Sequence, residues 1–246
     1  MRRSLEKECT AFHWTGTLLV TQGRKTGFFA SCCKEKVVST KENHTRTVGI
    51  AGSVRGSGVT HLAISLANYA ASGRLEKTAY IEADGRGELA HWRKPGELGF
   101  FEEKRVHFYP GIKKEDIPIL LNREYEKIIF DFGERYLLFR EEILRCDQKI
   151  FLLNLNVWQK FAAEKLLLEL REEDWGGVEP LFASAFASER VKREVQKEFQ
   201  IHIMEIAGIS DAFSLSYKSF SMMNRLLAES VPAKRKFSLN LAKRKK

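Results

Sequence analysis

The sequence predicts an α/β domain with a mainly parallel sheet and helices on both faces. Three observations predict it. Short apolar runs, each long enough for one strand, recur from residue 47 onward. Between most of them lie segments of ten or more residues with apolar side chains at three- and four-residue spacing, long enough for helical crossovers between parallel strands. The first strand passes into the first helix through a loop of glycines and serines, residues 52–58.

The elements follow in order. Residues 47–51 read as the first strand and 59–71 as a helix, in which Leu62, Leu66 and Tyr69 share spacing with Ala63, Ala67 and Ala70 and which Gly73 stops. A second strand is predicted at 78–83, ended by the charged turn 84–88. Residues 106–109 form a short strand and 117–122 a short helix. Residues 125–131 are a strand ending on Asp131, and 134–146 a helix. The remaining strands are expected at 149–154, 180–186 and 201–206, and the remaining helices at 157–171, 188–199 and 214–229. Trp92 and the Phe100–Phe101 pair read as loop packing. No repeat of 20–50 residues appears, which argues against a solenoid.

The totals bound the function. The chain has 246 residues, 43% hydrophobic and 30% charged, enough for one large packed domain. No run approaches the ~20 apolar residues that span a bilayer, and no apolar segment follows Met1-Arg2-Arg3 as a secretory signal would require. Cys9, Cys32, Cys33 and Cys146 have no zinc-ligand spacing and read as reduced thiols of a cytoplasmic protein. The net charge of +9 sits at the ends. Residues 1–46 hold nine cations against four acids, and residues 232–246 hold seven cations and no acid, which leaves the centre at −3. This disfavours a nucleic-acid-binding face on the central domain. The expected organisation is a poorly ordered extension at 1–46, a domain at 47–231 and a basic tail at 232–246.

In parallel sheets, ligands bind beyond the carboxyl ends of the strands. The loop after the first strand, Glu82 and Asp84 after the second, and Asp131 all fall there. Glycines let successive N–H groups face an anion, and a helix starting at once adds its dipole. Ser53, Val54, Arg55, Gly56, Ser57, Gly58, Val59, Thr60 and His61 lie over the phosphate-loop pattern G-x-x-x-x-G-K-[ST] and are the candidate nucleotide-binding residues. Thr60, with Asp131 through water, is the candidate for Mg²⁺. Val59 occupies the lysine position and has no charge or donor, a loss on the order of 2–4 kcal/mol in such a site. Arg55 either replaces that lysine from across the loop or is an exposed loop arginine. His61 either touches phosphate or faces outward at the helix start.

Residues 49–61, 80–84 and 125–131 resemble, in order and spacing, the P-loop ATPases of the MinD/ParA type over residues 47–230. The resemblance implies a loop K-G-G-x-G-K-[ST], whose first lysine position is Val54 here, so both lysines are absent. It places the acid associated with the attacking water on Asp84, the candidate catalytic residue, and the Mg²⁺-linked aspartate on Asp131. It implies ATP or ADP with Mg²⁺ as cofactor, protein partners and a homodimer. Its degenerate-loop members are similar to the TadZ/CpaE-like proteins that position pilus or secretion machinery. MinD-type proteins end in a membrane-targeting helix. The tail here carries Lys234, Arg235, Lys236, Phe237, Leu239, Leu241, Lys243 and Arg244, and reads either as an anion- or membrane-binding segment at the inner face of the membrane or as a solvated end.

Three functions follow as expectations. The first is a spatial organiser that works through partner binding with weak or absent ATP hydrolysis. The second is an active ATPase using Arg55. The third is a phosphate-ester-binding enzyme on the same loop, for which no Ser/His/Asp or Cys/His arrangement for covalent catalysis is visible.

Overall fold

The computed structural model describes residues 44–206 and 208–228. The predicted basic tail and nearly all of the N-terminal extension lie outside them. The strands are β1 (Arg46–Gly52), β2 (Thr78–Glu82), β3 (Phe101–Glu103), β4 (Val106–Tyr109), β5 (Lys127–Asp131), β6 (Gln148–Leu152), β7 (Leu181–Ser184) and β8 (Ile203–Glu205). The helices are α1 (Val59–Asn68), α2 (Glu88–Trp92), α3 (Ile117–Leu121), α4 (Arg140–Arg145), α5 (Lys160–Arg171), α6 (Glu189–Phe199) and α7 (Tyr217–Leu226).

The eight strands form one sheet in the order β3-β4-β2-β5-β1-β6-β7-β8. All neighbours are parallel except β3 and β4. Strand side chains alternate between faces, and here both faces are buried. On β5, Ile128 and Phe130 join Ile117, Ile143, Leu167 and Val195 from α3 to α6 on one side. Ile129 joins Leu62, Leu66, Met223 and Leu226 from α1 and α7 on the other. That two-sided burial is why the central strands read as unbroken apolar runs.

The differences from the sequence reading have local causes. The predicted helix 134–146 is a turn, a tight 3₁₀ stretch at Tyr136–Phe139, and only then α4. The helix of 59–71 holds α-geometry through Asn68 and widens to a π turn at Tyr69–Gly73, where Tyr69 packs edge-on against Phe220 at 5.0 Å. Phe101 is not loop packing: it starts the antiparallel edge strand β3, stacked on Phe108 at 5.2 Å. Trp92 ends α2 and lies 4.9 Å from the ring of Phe213. Segments of three to five residues are too short to show a period, so cross-strand aromatic pairing decides them.

The register places the site. Ile50 on β1 and Glu82 on β2 both lie level with Asp131 on β5. The loops leaving these three strands therefore meet at one end of the sheet. After β5 the chain crosses β1 to add β6, so the order reverses beside β1, the position at which open α/β sheets form a ligand crevice.

Candidate functional site at the carboxyl end of the sheet

A cavity of about 620 Å³ opens beyond β1, β2 and β5. Its floor is the loop from Val54 to Thr60 and the start of α1, and its far wall includes Leu152, Phe186 and Ile209. The loop has a defined shape. Gly56 and Gly58 sit at φ of 80° and 93°, left-handed values that side chains rarely adopt. The Ser57 hydroxyl donates to the Val54 carbonyl at 2.7 Å and accepts the Val54 N–H at 3.2 Å, which closes the loop on itself. Gly58 caps α1 without any side-chain bond, so the helix N-terminus faces the cavity with its N–H groups and dipole.

Val59, at the lysine position, is 6% exposed, and a Cβ added at Gly52 would stand 2.7 Å from its Cγ2. The valine is thus wedged between loop and strand end. Arg55 is 75% exposed and pairs with Glu88, another residue of the cavity wall, at 3.3 Å. His61 and Thr60 are exposed at the cavity mouth. Ser53 turns the other way. Its hydroxyl accepts the Asn154 N–H at 3.0 Å, and it lines a second cavity of about 490 Å³ with Leu137, Leu138 and Ala162.

The acids at the strand ends are buried and engaged. Asp131 accepts the Tyr80 hydroxyl at 2.7 Å and the Gly133 N–H at 2.9 Å, and the Thr60 hydroxyl also bonds to it. Burial pushes its carboxyl upward, against the pull of those bonds. The same burial, reinforced by the Asp131 charge, drives the Tyr80 phenol upward too. Glu82 turns from the cavity to accept the Gly111 N–H at 2.9 Å and the Leu89 N–H at 3.3 Å, and burial raises it as well. Asp84 stands over Gly133, where an added Cβ would come 3.0 Å from the Asp84 Cβ.

Three charged residues of the cavity wall were not singled out in the sequence: Arg86, Glu88 and Glu134. Arg86 donates its N–H to Asp84 at 2.9 Å, holds Asp84 and Glu134 through its guanidinium, and has Glu88 at 3.9 Å. The signal was present as an arginine between two glycines and two acids, Asp84 to Glu88. It read as a strand-ending turn because nothing in one sequence places Glu134 beside it. Among the described residues, no three His, Cys, Asp or Glu side chains gather as a metal-ligand set. Cys146 is a buried free thiol, pushed up to about 12 by its burial.

No protein-family model matches the chain, and no curated protein matches its sequence. Solved structures do resemble it. A plasmid partition protein from Borrelia burgdorferi bound to AMPPNP superposes with a TM-score of 0.56 at 12% identity, over 74% of this chain and 97% of that one. A ParA family ATPase from Chlorobium tepidum gives 0.53 at 17% identity, over 76% and 94%. A second Borrelia burgdorferi plasmid partition structure gives 0.53 at 14% identity, over 76% and 99%. These likenesses, with the parallel sheet and the glycine loop at its centre, show that the chain has the P-loop NTPase fold of the ParA-type ATPases.

Proposed function

We propose that this protein is a ParA-like spatial organiser that acts by binding protein partners, with ATP hydrolysis weak or absent, in the manner of the degenerate TadZ/CpaE-like pilus-positioning proteins. One observation carries the reading. The loop bends through two glycines at positive φ, while valines stand at the positions that the phosphate-loop pattern and the family resemblance give to lysine, and Val59 packs against Gly52. The cavity's guanidiniums, Arg55 and Arg86, face Asp84, Glu88 and Glu134, so the wall offers an incoming triphosphate little net positive charge. A tightly held magnesium nucleotide does not fit this set of side chains, although the N–H groups of the loop and helix start still suit a weakly held anion. The likeness to partition ATPases, one of them bound to AMPPNP, supports the organiser class.

A surface for partners adjoins the loop. Leu137 and Leu138 are 60% and 61% exposed, and Trp158, just before α5, and Phe161, in its first turn, are 91% and 77% exposed. Leu137 and Leu138 line one cavity with Ala162, the neighbour of Phe161, and exposed apolar side chains brought together in this way suit an interaction site. A second copy of this chain is the occupant we assign to it, following the dimer of the resembled family. The basic tail, outside the described residues, would add attraction to an anionic membrane, which added salt would screen.

Hydrolysis of Mg-ATP by the full chain is the direct test. The reading expects a rate near the uncatalysed background that Arg55→Ala leaves unchanged. A measurable rate that Arg55→Ala abolishes would replace it with the arginine-driven ATPase.

A further inference from the structure

The cavity holds one cation whose surroundings differ from every other: Arg86. Its position is built. Gly85 and Gly87 on either side take left-handed φ of 76° and 67°, turning the chain back on itself between β2 and α2. The Arg86 side chain is 19% exposed, against 75% for Arg55. Its own N–H and its Nε both address Asp84, at 2.9 Å and 3.6 Å. Its Nη2 bonds Glu134, in the turn after β5, and its Nη1 lies 3.9 Å from Glu88 at the start of α2. One planar guanidinium thus spans the loops leaving β2 and β5, the two that carry the acids of the site.

Removing it in thought shows what it does. Asp84 is 4% exposed, and its carboxylate would face Glu134 across the cavity wall with no cation between them. Two carboxylates brought together in a poorly solvated wall repel, and either a proton or a cation must relieve them. A guanidinium suits the task, since its fork bonds two carboxylates at once and stays charged at every ordinary pH.

We infer that Arg86 is a built-in counter-ion: it does for Asp84 and Glu134 what a bound divalent cation would otherwise do, and so holds the cavity loops in place without metal or nucleotide. This rests on the partner-binding reading above and explains how a site with no phosphate lysine keeps its shape. Arg86 is then a positioning residue, and the organiser is assembled for its partners in the ligand-free state.

The test is thermal unfolding of the full chain, followed by circular dichroism, with MgCl₂ titrated alone. The wild type is expected to show a Tm that Mg²⁺ does not move. Arg86→Gln should lower Tm by roughly 4 °C, and millimolar Mg²⁺ should recover most of that loss. Arg86→Lys, which keeps a charge, should be far less responsive to Mg²⁺. Adding Asp84→Asn to Arg86→Gln should remove both the carboxylate repulsion and the Mg²⁺ response. An Arg86→Gln protein that is destabilised but indifferent to Mg²⁺ would reduce Arg86 to a packing residue, and a wild type stabilised by Mg²⁺ alone would overturn the inference outright. Should Arg86→Gln fail to fold, the double variant Arg86→Gln with Asp84→Asn carries the test: recovery of a cooperative unfolding transition supports the counter-ion role, because the carboxylate that needed the cation is gone, and a double variant that still fails to fold overturns it. Micromolar Mg-ATP binding by the wild type would defeat the functional reading instead, and leaves the titration with Mg²⁺ alone still decisive for Arg86.

Discussion

The two ends of the parallel sheet both bury charge, and they use it differently. At the carboxyl end, Glu82, Asp84 and Asp131 are 3%, 4% and 1% exposed. At the amino end, Lys127 and Lys149 are 3% and 2% exposed. Strand β5 alone runs from Lys127 to Asp131. The sorting follows from the crossovers. Helices begin above the carboxyl ends of strands and finish near the amino ends, so their positive poles favour acids at one end and their negative poles favour cations at the other. At the amino end the charge is closed off: Lys149 donates to the carbonyl of Cys146, the residue that caps α4, at 2.7 Å, and Lys127 faces Glu76 at 3.8 Å. At the carboxyl end the same physics leaves a helix start and a shaped loop facing a cavity of about 620 Å³. Buried charge by itself therefore reports the architecture, and it reports a site only where a cavity opens onto it.

The comparison can be broken from either end. The largest effect is expected at the loop. Gly52→Val would drive side-chain atoms into Val59 Cγ2, 2.7 Å from the first added carbon, and should cost about 2–3 kcal/mol in urea unfolding. A variant as stable as the wild type would show that the loop is not braced against the strand end. Next, Tyr80→Phe removes the hydroxyl bonded to Asp131 in a fully buried place and should cost about 1–2 kcal/mol. No cost would mean that Asp131 finds another donor, for example by recruiting Thr60 more closely.

The amino end is sharpened by pH. Burial lowers the Lys149 ammonium below its ordinary value of 10.5. A base with a lowered folded value sheds its proton more readily when folded. Its contribution to stability is therefore complete above 10.5 and is lost as pH falls through the lowered value. Unfolding curves at pH 7 and at successively higher pH should show the wild type gaining on Lys149→Met over that interval. Parallel curves would mean that the lysine is solvated after all. The smallest effect belongs to Arg55→Ala, which should change stability by no more than about 0.5 kcal/mol, because its pair with Glu88 is exposed. On the surface beside the loop, Trp158→Ser with Phe161→Ser should convert a dimer to a monomer in sedimentation velocity, and should leave the unfolding curve in place only at concentrations where the wild type is itself monomeric, since both side chains of the single chain stand in solvent. A wild type that sediments as a monomer at high concentration would remove the second copy as occupant.

Much of this was legible in the sequence where a physical rule acts over a few adjacent residues. The glycine loop, the helix after it and the apolar strand ending on Asp131 are local patterns, and each stands where it was expected. Val59 could be set against the lysine of the phosphate-loop pattern directly, whereas Val54 took its place opposite a lysine only through the family resemblance. What was hidden depends on residues far apart in the chain. Arg86 and Glu134 meet across 48 positions, Tyr80 reaches Asp131 across 51, and the pairing of Phe101 with Phe108 makes a strand out of three residues that carry no period of their own. Arg55 reads as the nearest replacement for a lysine in the linear loop, yet its guanidinium is engaged by Glu88, 33 positions on.

We propose that the loop has the form of a phosphate loop without a tight grip on nucleotide. Isothermal titration of the full chain with Mg-ATP, and again with Mg-ADP, tests it most directly. The account predicts no saturable heat at micromolar nucleotide, with any binding confined to roughly the millimolar range where a few backbone N–H contacts alone would place it. Micromolar binding, accompanied by turnover that falls on Asp84→Ala, would contradict it.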